Sequence, residues 1–465
     1  MLSSQVKKVH CLGVGGIGVS ALAEILHCQG FVVSGSDSKE SQVTQRLASE
    51  GVQIFLGHDQ DHVEGVDLVI YSSAISLDHP VLQRARQLDV PCMMRGEVLA
   101  LLFNQQRGVA VVGSHGKSTA TGFVAQLLVE AGLDPTTVIG GVIQGGQGPV
   151  RFGQGDLWVV EGDESDGSFL LLRPTVAVVT NIDRDHLSHY GGDYQRLLDA
   201  FVEFLNRLPE DGVAILNLDD PGVQAILPSL KCQVVGFGEA PSVDVRLLAW
   251  QQCGMQSSFH INMAGKALEA VIQLPGYHNI LNAMAACAVA HYFAVDPSVL
   301  ERSLSRFRGV GRRLQQHAEI SVSGGRALVL EDYGHHPHAV EVTLRAVQKA
   351  WPDRRLVLVF QPHRYSRTSE LIAEFARVLA MADCLVLLEV YSAGECFDEG
   401  AAITSLLAAV NQRRSGDTFY VECLSELPRF LSSIVQANDI LLFQGAGDVG
   451  SFAARLAKTE ELEKL

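Results

Sequence analysis

The sequence predicts an α/β protein of three domains built on mostly parallel sheets. Short apolar runs alternate with segments of helical periodicity along the 465 residues, which is the pattern of repeated βα units. Two glycine-rich turns, at residues 13–18 and 113–119, each follow such an apolar run directly. At about 150 residues per domain, the chain has room for three hydrophobic cores.

Composition excludes several classes of protein. Hydrophobic residues make up 47% of the chain, but no apolar run reaches the ~20 residues needed to cross a bilayer. The first residues also lack the pattern of a secretory signal. We therefore expect a cytoplasmic protein without a membrane partner.

Net charge and cysteine spacing exclude further classes of protein. The formal net charge is −16, and no block of Lys and Arg interrupts it, so we expect no nucleic-acid partner. The nine cysteines stand singly, without a C-x-x-C pair. This spacing argues against a zinc ribbon, a redox dithiol or a disulfide framework.

The first predicted unit begins as a Rossmann-type βαβ. An apolar strand leads into a complete G-x-G-x-x-G turn, then a helix and a second strand that ends at Asp37, 19 residues after Gly18. Such a turn approaches a diphosphate closely, and the acid can meet a ribose hydroxyl. NAD is one candidate ligand, but the same turn serves other diphosphates.

The second unit carries a phosphate-binding loop, Gly113-Ser114-His115-Gly116-Lys117-Ser118-Thr119, after the apolar run 109–112. Glycines let backbone N–H groups face an anion, a helix N-terminus adds partial positive charge, and Lys117 adds a full one. Val111 stands where the usual loop of this type has its first glycine. The sequence therefore predicts a shortened nucleotide-phosphate loop.

Polar clusters follow two later apolar runs of this unit. Glu161 directly follows the run 157–160, and His186 lies shortly after the run 176–179. Ligands of an open parallel sheet lie beyond the carboxyl ends of its strands, so both residues can meet Ser118. A hydroxyl and a carboxylate suit Mg²⁺, whereas an imidazole nitrogen better suits a softer ion such as Mn²⁺.

In the third unit, polar residues follow the apolar runs 327–330 and 356–360. The second of these clusters contains Arg364 and Arg367, whose guanidinium groups can bind a carboxylate bidentately. The adjacent His335 and His336 suggest a metal site, although histidines held within a loop are the more common case.

Together, in this order, these motifs resemble the Mur ligase family over essentially the whole chain. The resemblance is strongest to the family member that adds L-alanine to UDP-N-acetylmuramate. It implies ATP-driven amide formation through an acyl phosphate, in the synthesis of peptidoglycan precursors, with Mg²⁺ or Mn²⁺ and as a monomer or homodimer. The implied domains are a Rossmann-like UDP-sugar domain (1–106), a P-loop ATP domain (107–313) and a Rossmann-like amino-acid domain (314–465).

The resemblance also assigns roles to individual residues. It implies catalytic roles for Lys117, Glu161, His186 and His335, with Ser118, Glu161 and His186 as metal ligands. For ATP it implies the loop residues Gly113, Ser114, His115, Gly116, Lys117, Ser118 and Thr119, together with Asn279, Asn282, Arg313 and Asp332. For the UDP-sugar it implies Gly15, Gly16, Ser36, Asp37, His58, Ser72, Ser73 and Arg95. For the amino acid it implies Tyr333, His335, His363, Arg364 and Arg367.

Three alternatives stay open at this point. A related ligase that recycles murein tripeptide shares the family motifs, although it tends to differ at residues 333–337 and 361–368. A nicotinamide-dependent oxidoreductase would use the first glycine turn and Asp37, but it leaves the phosphate loop without a role. A non-catalytic nucleotide-binding regulator would keep that loop without needing the arginine cluster.

Overall fold

The computed structural model describes residues 6–72, 74–146, 148–185, 187–397, 403–414, 416–459 and 461. The chain divides into two compact units. The first comprises Met1–Trp250, Ser258–Ile272 and Asn279–Arg308, and the second comprises Gln251–Ser257, Gln273–His278 and Gly309–Leu465. No helix within the described ranges has both the length and the apolar character needed to cross a membrane.

The first sheet is parallel throughout, in the order β3-β2-β1-β4-β5. Its strands are β1 (Lys8–Leu12), β2 (Val32–Asp37), β3 (Gln53–Leu56), β4 (Leu68–Tyr71) and β5 (Cys92–Met94). Its helices are α1 (Ile17–Cys28), α2 (Gln42–Ser49), α3 (Pro80–Gln87) and α4 (Arg95–Phe103). The order reverses between β1 and β4, which is where such sheets bind ligands.

The second sheet has ten strands, in the order β15-β14-β13-β12-β11-β10-β6-β9-β7-β8. They are β6 (Arg107–Val112), β7 (Thr136–Val138), β8 (Val150–Arg151), β9 (Leu157–Glu161), β10 (Val176–Val179), β11 (Val213–Asn217), β12 (Gln233–Gly238), β13 (Val245–Cys253), β14 (Gln256–Met263) and β15 (Lys266–Ile272). The helices are α5 (Lys117–Glu130), α6 (Tyr194–Leu205), α7 (Pro221–Ile226), α8 (Tyr277–Tyr292) and α9 (Pro297–Arg306). Strand β6 pairs in parallel with β9 and β10, so the ends of these three strands lie side by side.

The third sheet has the order β16-β17-β21-β18-β19-β20 and is parallel except for β16. Its strands are β16 (Gln315–Val322), β17 (Gly325–Asp332), β18 (Leu356–Phe360), β19 (Cys384–Leu388), β20 (Thr418–Val421) and β21 (Ile440–Gln444). The helices are α10 (Pro337–Ala350), α11 (Tyr365–Glu370), α12 (Ile372–Leu379), α13 (Ile403–Asn411), α14 (Leu427–Ile434) and α15 (Val449–Thr459).

Burial explains why these strands are apolar along their whole length. In β17, Leu328 and Leu330 pack in one core cluster while Ala327 and Val329 pack in another. Since successive side chains point to opposite faces, both faces of the sheet are covered, as parallel sheets require. Short 3₁₀ turns complete the connections at Gln60–Val63, Ser168–Leu171, Leu187–Tyr190 and Leu227–Ser229.

The predicted α/β class is confirmed. One sheet lies within each of the three predicted domains, although the exact domain limits stay a prediction. Strands β13–β15 carry no strong signal in the sequence, because their residues are half exposed and polar along much of their length.

Candidate active site

The phosphate loop joins β6 to α5, and its shape requires glycine at two positions. Gly113 has φ +133° and Gly116 has φ +80°, a region that other residues adopt at a cost. A Cβ on Gly113 would lie 2.3 Å from Thr180 Oγ1, and one on Gly116 would lie 2.4 Å from Asn282 Oδ1. The loop therefore packs its backbone directly against neighbouring side chains.

Residues after β10 hold this loop from the side. The His115 N–H donates to Asn181 Oδ1 at 2.8 Å, and Asn181 Nδ2 and Thr180 Oγ1 donate to the His115 carbonyl. The His115 ring lies 3.0 Å from Asp183 Oδ2, and the Asp183 N–H donates to Ser114 Oγ at 2.8 Å. These bonds hold the loop against the residues that follow β10.

Lys117, the first residue of α5, points back over the loop. Its ammonium donates to the carbonyls of Gly113 at 2.7 Å and Ser114 at 3.3 Å, and it pairs with Glu164 at 2.7 Å. Burial alone would lower its pKa, but the nearby carboxylates of Glu164 and Glu161 outweigh burial and raise that pKa. Lys117 is therefore a permanent cation at the loop.

Glu164 was not assigned a role from the sequence. Its carboxylate is 1% exposed, and burial raises its pKa to about 7 against the opposing attraction of Lys117. The Tyr190 hydroxyl donates to its carbonyl at 2.7 Å. The sequence showed an acidic run here, but nothing in it distinguished Glu164 from its neighbours.

Ser118 and Glu161, two of the predicted metal ligands, lie together. Ser118 Oγ donates to Glu161 Oε1 at 2.9 Å, and the Gly140 N–H donates to Glu161 Oε2 at 2.7 Å. A hydroxyl and a carboxylate are hard oxygen ligands, so this pair fits Mg²⁺. His186, the third predicted ligand, lies outside the described residues.

The remaining predicted ATP residues of the first unit border the loop. Asn279 and Asn282 are buried in α8, where Asn282 Nδ2 donates to Asn279 Oδ1 at 3.4 Å. Asn282 is also the side chain that a Cβ on Gly116 would meet. Thr119 is buried in the first turn of α5.

The predicted UDP-sugar residues gather at the ends of β1 and β2. The Gly15 N–H donates to Asp37 Oδ2 at 2.8 Å, which ties the glycine turn to β2. The Gly16 N–H donates to the Gly13 carbonyl at 3.1 Å, within the same turn. Ser72 follows β4 and accepts a hydrogen bond from the Ala74 N–H at 3.1 Å, while Ser73 lies outside the described residues.

Ser36 lies between two histidines, one of which the sequence did not single out. Its hydroxyl is 3.0 Å from His10 Nε2 and 3.1 Å from His58 Nδ1. Burial, followed by repulsion from His62 and His58, lowers the pKa of His10 to about 4. His10 is hidden in the apolar run of β1, where a buried histidine gives no sequence signal.

His10 predicts a pH dependence of stability. Between pH 6.5 and about 4 the unfolded chain binds a proton at this histidine that the folded chain does not, so the free energy of unfolding falls as pH falls. At pH 5 we expect a loss of about 2 kcal/mol relative to pH 7. Thermal unfolding of wild type and His10→Gln at pH 7 and pH 5 measures this loss. If both proteins lost the same stability between the two pH values, His10 would not be its cause.

Arg95, at the start of α4, contacts the loop that follows β9. Its guanidinium pairs with Asp163 and, at 3.4 Å, with Asp166. A small cavity of about 80 Å³ lies beside it and is lined by residues that include Gly18, Arg95 and Glu161. This predicted UDP-sugar residue and the predicted metal ligand Glu161 therefore border the same space.

In the second unit, an aromatic row connects the ends of β17, β18 and β19. The rings of Tyr333 and His335 lie 5.3 Å apart, those of His335 and His363 lie 5.5 Å apart, and His363 stacks on Tyr391 at 5.4 Å. Tyr391 was not predicted from the sequence, although it follows β19 closely, as the other residues of the row follow β17 and β18. Arg312 and Arg313 each lie 4.9 Å from the centre of the Tyr333 ring.

The two predicted carboxylate-binding arginines lie beside this row. Arg364 has φ +71°, and its N–H donates to the Tyr391 carbonyl at 2.8 Å. Arg367 Nη1 lies 3.5 Å from His363 Nδ1. Burial, and then the charges of Arg367 and Arg364, lower the pKa of His363 to about 4, so its ring is neutral near pH 7. The positive φ of Arg364 is a strained backbone conformation, and such strain is concentrated at functional sites.

Asp332 organises the loop that follows β17. Its carboxylate accepts hydrogen bonds from four groups: the Leu314 N–H, the Gly334 N–H, Gln444 Nε2 and Thr343 Oγ1. Burial raises its pKa, against an opposing attraction from Arg313. The structure thus shows Asp332 fixing its own loop, while its role toward ATP stays a prediction.

Comparison with known proteins covers nearly the whole chain. Residues 8–107 match the Mur ligase family, catalytic domain, residues 111–290 match the Mur ligase middle domain, and residues 312–447 match the Mur ligase, glutamate ligase domain. A relative from Coxiella burnetii, named UDP-N-acetylmuramate--L-alanine ligase, is 45% identical over 456 residues, 98% of each chain.

Solved structures agree with this match. The crystal structure of UDP-N-acetylmuramate-alanine ligase from Thermotoga maritima superposes with a TM-score of 0.84 at 30% identity, covering 97% of this chain and 98% of the other. A murein peptide ligase from Psychrobacter arcticus has the same fold, with a TM-score of 0.73 at 22% identity and 98% of each chain covered. By three family matches that lie between residues 8 and 447, and by a 45% identical relative that covers 98% of it, the chain belongs to the Mur ligase family.

Proposed function

We propose that this chain joins L-alanine to UDP-N-acetylmuramate with the consumption of ATP, in peptidoglycan precursor synthesis in the cytoplasm. The observation that carries the proposal is the 45% identity, over 98% of both chains, to a relative with that name. The fixed phosphate loop of the first unit supports the ATP part, and the aromatic and arginine cluster of the second unit supports the amino-acid part.

The reaction has two steps. The carboxylate of the UDP-sugar attacks the γ-phosphorus of ATP, the bond to ADP breaks, and an acyl phosphate forms. The neutral amine of L-alanine then attacks the acyl carbon, phosphate leaves, and the amine gives up a proton. The amide forms downhill because ATP is consumed.

The residues of the phosphate loop bind and orient ATP in this scheme. The N-terminus of α5, which directly follows the loop, would direct its partial positive charge toward the phosphates, and Lys117 would balance their negative charge. Asn279 and Asn282 support the loop from α8. Ser118 and Glu161 would hold Mg²⁺, with His186 as a third proposed ligand, and the ion would supply further charge neutralisation.

For the other two substrates, the proposed roles follow the clusters described above. Gly15, Gly16, Ser36, Asp37, His58, Ser72, Ser73 and Arg95 would bind the UDP-sugar. Tyr333, His335, His363, Arg364 and Arg367 would bind L-alanine, and Arg313 and Asp332 would contribute to ATP binding. A guanidinium fork suits the alanine carboxylate, and the neutral His363 does not compete for it.

Release of ADP from the full chain tests the function. We expect ADP only when ATP, UDP-N-acetylmuramate and L-alanine are all present, with serine and glycine compared in parallel. Preference for the murein tripeptide over L-alanine would favour the recycling ligase instead. ADP release without an amino acid, or no ADP release at all, would contradict both ligase functions.

A further inference from the structure

Two neighbouring carboxylates each pair with a cation of a different substrate site. Glu164 pairs with Lys117 of the phosphate loop, and Asp163 pairs with Arg95 of the UDP-sugar site. We propose that Asp163 and Glu164 are positioning residues that couple occupation of the ATP site to occupation of the UDP-sugar site. This inference rests on the proposed function for the identity of the two ligands.

At the ATP site, all three N–H donors of the Lys117 ammonium group already have acceptors. An ammonium group has three N–H donors, and those of Lys117 meet the carbonyls of Gly113 and Ser114 and the carboxylate of Glu164. A phosphate oxygen that binds Lys117 must replace one of these acceptors. Because two anions repel one another at a buried site, the acceptor displaced is Glu164.

At the UDP-sugar site, Arg95 is held in the same way. Its guanidinium lies over the first glycine turn, where a Cβ on Gly18 would be 3.0 Å from Arg95 Nη1. That position suits an anion bound at the turn, but Asp163 and Asp166 already engage the side chain. An anionic ligand therefore competes with Asp163 for Arg95.

The two competitions are linked because both acids belong to one hydrogen-bonded loop. Ser165 donates to Asp163 Oδ1 through its N–H at 3.0 Å and its hydroxyl at 2.6 Å, and the Phe169 N–H donates to the Asp163 carbonyl at 3.1 Å. The Tyr190 hydroxyl holds the Glu164 carbonyl. A displacement of Glu164 that moves the backbone of this loop therefore also moves Asp163.

The loop also packs closely against the helix that carries Arg95. A Cβ on Gly96 would lie 2.3 Å from Ser168 Cβ, so movement of the loop is transmitted to the start of α4. The first ligand to bind spends free energy to disrupt the ion pairs of the loop. The second ligand then binds to a loop in which these ion pairs are already broken. The coupling is therefore positive, whereas direct repulsion between two anionic ligands would make it negative.

Calorimetric titration of the full chain tests this coupling. We expect AMPPNP with Mg²⁺ to bind about 10-fold more tightly when UDP-N-acetylmuramate is saturating, and the UDP-sugar to gain the same factor from AMPPNP, since linkage is reciprocal. In Glu164→Gln and in Asp163→Asn, both close in shape to wild type, the factor should fall to about one. Glu164→Gln should also bind AMPPNP more tightly in the absence of the sugar.

Glu203→Gln, on the exposed face of α6, is the matched control and should keep the wild-type factor. A wild-type factor of one or below, or an unchanged factor in both loop variants, would overturn the coupling. If the two acids had a purely structural role, each loop variant would bind both ligands more weakly but would keep the wild-type coupling factor. That result would also overturn the proposed coupling. Failure of wild type to bind UDP-N-acetylmuramate would instead refute the proposed function.

Discussion

Lys117→Ala should lower the rate of ADP formation at saturating substrates by about 10³-fold. Lys117 is a half-buried cation at the phosphate loop, and its pKa is raised by the surrounding carboxylates. In the transition state of phosphoryl transfer, charge spreads over the phosphate oxygens, and a fixed cation in a water-poor site stabilises it strongly. The loss therefore falls on turnover more than on folding.

Lys266→Ala, an exposed lysine in β15, serves as the control and should retain wild-type turnover. Circular dichroism of both variants reports whether the fold is intact. Near-wild-type ADP formation by Lys117→Ala would refute the role of this loop in phosphoryl transfer.

Arg367→Ala should raise the KM for L-alanine by about 100-fold at saturating ATP, with a smaller effect on kcat. A hydrogen bond between charged groups contributes about 1.5–3 kcal/mol, and Arg367 lies beside the His363 ring, which is neutral near pH 7 and does not compete for an amino-acid carboxylate. Its guanidinium can therefore receive the amino-acid carboxylate.

 

Arg367 is held in place before any amino acid binds, because its Nη1 also donates to the His363 carbonyl at 3.4 Å. Arg377→Ala, which removes an exposed arginine of α12 paired with Glu341, is the matched control and should leave the KM for L-alanine unchanged. Equal KM values for Arg367→Ala and wild type would exclude the carboxylate-binding role.

The order of apolar runs and glycine turns was enough to predict the α/β class, because strands buried on both faces read as continuous apolar segments. The same reasoning located the ends of β6, β9, β17 and β18. It could not find β13–β15, where one face is solvated and the pattern is weak. Nor could it predict that β21, late in the sequence, lies between β17 and β18.

Within the candidate site, the sequence predicted residue types that chemistry requires, such as Lys117 and Glu161. It did not reveal partners whose importance depends on three-dimensional packing. Glu164 stands out only because burial places it against Lys117, and His10 only because β1 and β2 align it with Ser36. Tyr391 joins the aromatic row through the neighbouring ends of β18 and β19.

The central position of β21 affects how the chain folds during synthesis. In the described part of the chain, β21 lies between β17 and β18 and pairs with both strands, and it follows β18 by some 80 residues on the chain. Contacts between segments so distant in sequence form slowly. On the ribosome, the facing edges of β17 and β18 therefore stay unpaired until β21 emerges, and unpaired strand edges expose a nascent chain to aggregation.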